Sequence, residues 1–449
     1  MSGRFAAERA VVVGAGVAGT GSARALSAEG AHVLVTESLP ETDVPVAAEL
    51  RGIGVEVRTG GHDRSHLDGA TLVVVGPGVS PDTDVVRWAR ELGLPVWGEM
   101  ELGARLARAP YLAVTGTNGK TTVTAMIEAC LRAGGHDALA CGNIGLSFPE
   151  AARQEREVLV VEVSSFQLAV QTSFHPTISI LLNVAPDHLD WHGSLEAYSA
   201  AKGRIHALQT ASDVHIGNRD DPAAAAISSR ATCELRWFRH GPPDEGEVGY
   251  VEGELVARVD GAHRLGVIDD ERAGYREDAA AAAAVALAHG VDPAAVAAAL
   301  ADFRSAPHRG EVVAVVDGVR FVDNSKATNV HAAAAAIDGA GDAVLIAGGR
   351  AKGVDLSPLR AHAGRLRAVV AIGESAPDVV EVFEGSVPTH LAGSIEEAVR
   401  EAFAAASPGD TVLLAPACAS WDQFTSYTER GDRFAAAARS LRAGAGARG

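Results

Sequence analysis

The sequence predicts an α/β protein in three segments, and three observations carry that expectation. Its 449 residues exceed what one hydrophobic core usually serves. Short apolar runs recur along the chain, each suited to a buried strand and several followed by a helical pattern. Gly-, Ser- and Asp-rich stretches follow those runs, at the carboxyl ends of strands, where open α/β sheets bind their ligands.

In the first segment, Ala10 to Val13 reads as a buried strand feeding Gly14, Gly16 and Gly19, with a helix through Leu26. That G-x-G-x-x-G turn predicts a Rossmann-like domain. A second strand, Ala31 to Thr36, ends in Glu37, about where an NAD domain would place a ribose-binding acid. A third, Thr71 to Val75, ends in Gly76-Pro77-Gly78. On residues alone the turn suits a dinucleotide, another phosphate-bearing ligand or a plain strand-to-helix connection.

The second segment starts near Met100 and holds the most informative stretch, YLAVTGTNGKTT, from Tyr111 to Thr122. A turn of Gly116, Thr117, Asn118 and Gly119 leads into Lys120, Thr121 and Thr122 at a helix start. This is a shortened G-x-x-x-x-G-K-[ST] loop, with Val114 where the first glycine would stand. Backbone N–H groups converge in such a turn and the helix N-terminus adds positive potential, so the loop is expected to cradle phosphates. Lys120 would reach the outer phosphates and the Thr121 hydroxyl would sit on Mg²⁺. A nucleoside triphosphate is therefore the expected ligand, in a central domain like the P-loop NTPases with a mostly parallel sheet.

Strand Val158 to Val163 carries Glu162, and an acid among valines is costly to bury unless paired or metal-bound, so Glu162 is a candidate magnesium ligand. Strand Thr177 to Asn183 leads into Asp187, His188 and Asp190, a cluster that suits either a metal or loop caps. Lys202 follows on an expected helix from Leu195 to His206.

The third segment begins near Ser305. Expected strands Arg320 to Val322, Ala343 to Ala347, Ala368 to Ile372 and Thr411 to Leu414 precede DNSKATN, GGRAKGVD, Gly373 and APACASWDQF. Lys326 and Lys352 on that edge are either ligand cations or solvated lysines.

Composition narrows the function classes. Hydrophobic residues at 47% and charged residues at 21% describe an ordinary globular protein rather than a disordered one. A net charge of −18 argues against nucleic-acid or anionic-membrane binding. Arg4, Glu8 and Arg9 before the first strand are unlike a signal peptide, and the alanine run Ala279 to Ala284 is too short to span a membrane. Cys130, Cys141, Cys233 and Cys418 lie far apart, which suggests neither a zinc site nor a disulfide framework and fits a reducing cytoplasm.

Six stretches together resemble the Mur ligases, essentially end to end. They are TGTNGKTT, VEVSSFQL at 161–168, NVAPDHLDWHGSLEAYSAAKGRI at 183–205, PHRGE at 307–311, DNSKATN at 323–329 and APACASWDQFTSYTERGDRF at 415–434. Within the family, SKATN and the C-terminal motif resemble the members that join D-glutamate to the L-alanyl carboxylate of UDP-N-acetylmuramoyl-L-alanine, through an acyl phosphate made with ATP. The resemblance implies a UDP-substrate domain at 1–98, an ATP-binding domain at 99–304 and a Rossmann-like α/β C-terminal domain at 305–449, the three making one active site. It also implies a cytoplasmic monomer with no NAD.

Carried residue by residue, the resemblance places the diphosphate and uridine at Gly14, Gly16, Val17, Ala18, Gly19, Thr36 and Gly78, and the muramoyl portion at Asn143. Lys120, Thr121 and Glu162 would hold phosphates and a first Mg²⁺, and His188 a second. Lys202 matches a lysine that the family carbamylates with CO₂, giving an oxygen ligand in place of an ammonium. Arg309 and Lys326 would serve ATP, while Thr328, Lys352, Ser420, Trp421 and Tyr427 would form the D-glutamate pocket.

Two departures bear on ATP. Where relatives have H-N-x-x-N, this chain reads GYRED, with Asp278 at the second asparagine's place. Where relatives read N-D-S-K, it has Asp323-Asn324, so an expected acid near the ribose is an amide. Trp421 and Tyr427 stand where Leu and Phe are common. The alternatives are a ligase for another amine such as L-glutamate, and a nucleotide-binding relative that does not ligate.

Overall fold

Alternate residues of the first strand, Arg9–Val13, enter different cores: Ala10 and Val12 one, Val11 and Val13 another. A strand covered on both faces has no polar side, which is why it reads as an unbroken apolar run. The computed structural model describes residues 3–80, 82–268, 274–304 and 306–445, the last four by backbone alone. Ser305, at the expected start of the third segment, lies outside the described residues.

Three sheets follow one another along the chain. The first is fully parallel, in the spatial order Glu56–Arg58, His32–Thr36, Arg9–Val13, Leu72–Val75, Val96–Gly98. This is the doubly wound arrangement that the glycine turn predicted. The second sheet has nine strands, with Tyr111–Thr115 between Val158–Glu162 and Ile178–Leu181. It stays parallel out to Glu247–Val251, then closes with the antiparallel strands Glu254–Arg258 and Ala262–Val267. The third is parallel except for its edge strand Glu311–Val316, and in it Thr411–Leu414 lies between Val319–Asp323 and Ala343–Gly348.

By contacts the chain divides into two units. One contains the first two sheets, which share a core running from Val12 and Val74 through Met100 and Phe148 to Val161. Tyr111, Phe148 and Phe174 meet there with ring centroids 5.1 to 6.1 Å apart. The other unit contains the third sheet together with Ala185–Tyr198, so the loop after Asn183 belongs by contacts with the C-terminal part of the chain. Its sheet also buries both faces, Leu345 and Leu413 on one and Val344 and Val412 on the other.

The alanine run lies in helix Tyr275–Ala288, and among the described residues no helix is long and apolar enough to cross a membrane. All four cysteines are free thiols. Lys202 sits on helix Leu195–Gly203, which tightens into a 3-10 turn at Arg204–His206 instead of continuing as the single expected helix.

Candidate active site

The loop after Tyr111–Thr115 turns through Gly119 at φ 82, a left-handed conformation that glycine adopts without strain, and helix Lys120–Ala133 begins at the next residue. Asn183 Oδ1 accepts from the backbone N–H groups of Thr117 (3.0 Å) and Asn118 (2.8 Å), fixing the turn from the neighbouring strand end. Lys120 Nζ folds back onto the carbonyls of Gly116 and Thr117, each at 2.9 Å. Lys202, only 1% exposed, donates to the Gly116 carbonyl at 2.7 Å. The structure thus brings Lys202 to the phosphate loop across 86 residues of sequence.

Glu162 ends the adjacent strand and is 2% exposed. Its Oε1 accepts from Asn143 Nδ2 at 2.9 Å, while Oε2 is buried with no hydrogen-bond partner among the described residues. A buried carboxylate oxygen without a donor fits a hard cation, which takes oxygen ligands. No group of three or more His, Cys, Asp or Glu that could hold a metal is found among the described residues.

In the first sheet's glycine turn, Gly16 and Val17 are exposed, as is Gly78. Thr36 is wholly buried, its hydroxyl 2.9 and 2.8 Å from Nδ1 of His62 and His66. Glu37 is buried too, and accepts from Ala15 N at 2.7 Å, Ser38 Oγ at 2.9 Å and Leu39 N at 3.0 Å. Burial alone would raise its pKa, yet these bonds outweigh it and hold the carboxyl below its usual range. Glu37 therefore braces the glycine turn.

In the second unit, Asp187 gathers donors. Lys352 Nζ lies 2.7 Å from its Oδ1, His188 N 2.9 Å from the same oxygen, and Asn329 Nδ2 3.2 Å from Oδ2. His188 and Lys352 both have left-handed backbones, φ 53 and 56, a conformation that costs free energy in non-glycine residues and collects at functional sites.

The DNSKATN turn is held from several sides. Asp323, wholly buried, places Oδ2 2.7 Å from His308 Nδ1 and accepts from Ser325 N at 2.9 Å. Both oxygens are engaged, so Asp323 does not replace the acid missing at Asn324. Gly431 makes the pairing possible, since a Cβ there would stand 2.2 Å from His308 Nδ1. Buried Arg430 donates to Ser325 Oγ and O and to the Cys418 carbonyl. Lys326 Nζ lies 3.9 Å over the Tyr427 ring, a cation–π contact. Ser420 is buried and Trp421 is 70% exposed. Arg309, Thr328 and Asp278 are partly exposed.

Asn183, His308, Arg430 and Gly431 lie inside the quoted motifs, but no periodicity or charge pattern assigns them these bracing contacts. The only signal was their place beside strand ends and glycines.

Three family models match: Mur ligase MurD-like, N-terminal domain, at residues 8–98; Mur ligase middle domain at 114–244; and Mur ligase, glutamate ligase domain, at 308–418. The UDP-N-acetylmuramoylalanine–D-glutamate ligase of Frankia casuarinae is 45% identical, covering 96% of this chain and 93% of the relative. That of Streptomyces coelicolor is 42% identical, covering 98% and 100%. Among solved structures, a UDP-N-acetylmuramate–alanine ligase from Thermotoga maritima superposes with TM-score 0.62 at 18% identity, covering 97% of this chain and 100% of that one, which supports the fold. A MurF ligase from the same organism, in complex with ADP, gives 0.61 at 17% identity over 91% and 96%. With this loop, this order of sheets and these relatives, the chain belongs to the Mur ligase family, among its UDP-N-acetylmuramoylalanine–D-glutamate ligases.

Proposed function

We infer that this chain is an ATP-dependent, ADP-forming ligase that joins D-glutamate to the L-alanyl carboxylate of UDP-N-acetylmuramoyl-L-alanine in peptidoglycan precursor synthesis. The observation that carries the reading at the site is the phosphate loop, with Lys120 and Lys202 converging on Gly116 and the orphaned Glu162 oxygen on the adjacent strand. Consumption of ATP and a soluble nucleotide substrate fit a cytoplasmic enzyme.

A carboxylate is no electrophile, so an amide cannot form from it without activation. Transfer of the ATP γ-phosphoryl group to the alanyl carboxylate gives an acyl phosphate. The D-glutamate amine, having lost a proton, attacks the acyl carbon, and the C–O bond to phosphate breaks. Both steps bring anions together, so the protein's work is positioning and charge neutralisation. The N–H groups of the loop and the Lys120 ammonium take the phosphates. Thr121 and Glu162 would hold Mg²⁺, with His188 and a carbamate on Lys202 proposed as further ligands. Bound Mg²⁺ supplies positive charge where phosphate and carboxylate oxygens must approach. Asn143 orients Glu162 and would meet the muramoyl portion, while Gly14, Gly16, Val17, Ala18, Gly19 and Gly78 take the UDP portion. Arg309, Lys326, Asn324 and Asp278 serve ATP, and Thr328, Lys352, Ser420 and Tyr427 take D-glutamate, with Trp421 at the rim.

Phosphate release with ATP and UDP-N-acetylmuramoyl-L-alanine tests this directly. Release is expected with D-glutamate and not with L-glutamate or without an amino acid. Equal release with L-glutamate would move the assignment to another amine, and none with any acceptor would leave a non-ligating relative.

A further inference from the structure

Lys352, the cation proposed to take a carboxylate of the incoming amino acid, already holds one that belongs to the chain. Its Nζ lies 2.7 Å from Asp187 Oδ1, and the two side chains are only 10% and 7% exposed. The pair is neutral and shielded from water, where a charge without its partner is costly. A second carboxylate on Lys352 would leave that place net negative unless Asp187 let go.

Asp187 can let go without being orphaned. The N–H of His188 donates to Oδ1 and Asn329 Nδ2 to Oδ2, and neither donor comes from Lys352. Asn329 is itself fixed, its Oδ1 accepting from Ala332 N at 2.9 Å as the N-cap of helix Val330–Asp338. Lys352 reaches Asp187 on a long stem with several rotatable bonds, so its ammonium can turn from one carboxylate to another while the backbone stays at φ 56.

We propose that Asp187 is a stand-in for the substrate's carboxylate: it holds Lys352 in the empty site and yields it to a carboxylate of the incoming amino acid, staying tied to His188 and Asn329. The proposal rests on the reading that Lys352 serves the D-glutamate pocket. Binding is then an exchange of one carboxylate for another. Whatever the Lys352–Asp187 contact contributes is subtracted from D-glutamate affinity, and weakly binding anions that cannot displace Asp187 are refused. Asp187 is thus a positioning residue acting through Lys352.

The test is the split between Michaelis constants, together with calorimetric titration of D-glutamate into the enzyme with ADP and Mg²⁺. Asp187→Asn keeps the shape and the acceptor for His188 N but removes the charge that Lys352 holds. It should lower the D-glutamate KM and Kd about tenfold, with the KM of ATP and of the nucleotide substrate unchanged. Asp187→Ser, which also leaves Lys352 without a carboxylate, should shift D-glutamate binding the same way. In a Lys352→Gln background the effect of D187N should vanish. An unchanged or raised D-glutamate KM in both Asp187 variants overturns the exchange. If Lys352→Gln alone leaves D-glutamate binding intact, the pocket assignment itself has failed, a result separate from the first.

Discussion

Lys120 and Lys202 donate to the same backbone oxygen, the Gly116 carbonyl, at 2.9 and 2.7 Å. Two ammonium groups on one acceptor repel each other, and a carbamate on Lys202 would turn that repulsion into attraction while offering a cation two oxygens. Lys202→Ala should therefore lose phosphate release by on the order of 100-fold or more. Small carboxylates such as formate or acetate should restore part of it, by supplying the missing oxygens. Full activity in the variant, or no response to carboxylates, would remove the carbamate from the account.

The unpartnered Oε2 of Glu162 separates a metal role from a structural one. Glu162→Gln should raise the Mg²⁺ concentration for half-maximal phosphate release by roughly 10- to 100-fold. The same variant, without metal, should unfold at a temperature at least as high as the parent's, because it removes a buried charge that has a donor on one oxygen only. A loss of stability with unchanged Mg²⁺ dependence would show that Glu162 merely braces Asn143.

Because Asp323 is committed to His308 and Ser325, the ATP-side acid can be restored only at position 324. Asn324→Asp should lower the KM for ATP by up to about tenfold, since a carboxylate accepts from ribose hydroxyls more strongly than an amide does. Asp323→Asn should leave that KM unimproved and cost about 1–3 kcal/mol of stability, by leaving the buried His308 ring poorly paired. An Asn324→Asp enzyme with the parent's KM would show that the amide already suffices.

How much of this could be read from residues depends on how local the physics is. Val11 to Val13 and Val158 to Val161 announce buried parallel strands because both faces are covered, and the phosphate loop is readable because its backbone favours glycine at Gly119 and phosphate binding calls for the cation at Lys120. The strands Glu254–Arg258 and Ala262–Val267 have mixed, half-exposed patterns, and their hairpins with Glu247–Val251 are marked mainly by glycines at the turns. The Lys352–Asp187 contact joins residues 165 apart, and the His308–Asp323 pairing depends on the missing side chain of Gly431. Such contacts arise only once the third sheet has assembled. The sequence could name the Glu37 acid, but not that it would turn inward to Ala15.

A buried histidine pair and a buried carboxyl should pull stability in opposite directions over the same pH range. His215 stands 4.5 Å from His206, ring centroid to centroid, inside the second sheet's module. Gln209 gives its amide protons to the carbonyls of Pro176 and Val214, so its oxygen receives the Ser179 hydroxyl. Ser179 must then accept from His215 Nδ1–H, leaving Nε2 to accept from Ser228, which makes His215 a neutral ring. Burial, aided by the neighbouring His206, holds the His215 pKa well below 6.5, and burial lowers that of His206. The unfolded chain takes up these protons first, so their contribution is whole above pH 6.5 and is lost as the pH falls below it. Glu99 behaves in reverse. Burial, only partly offset by the Gln167 hydrogen bond, pushes its carboxyl up to about 7. The folded chain therefore holds that proton more tightly, and stability falls as the pH rises from 4.5 through 7. Thermal unfolding between pH 5 and 8 checks both signs against the parent. His215→Asn should unfold earlier at pH 8, having lost a hydrogen bond, and lose less stability on going to pH 5. Glu99→Gln should gain on the parent as the pH rises, by about 1–3 kcal/mol at pH 8. Parallel curves for parent and variant would mean that the substituted group does not titrate between folded and unfolded states in this range.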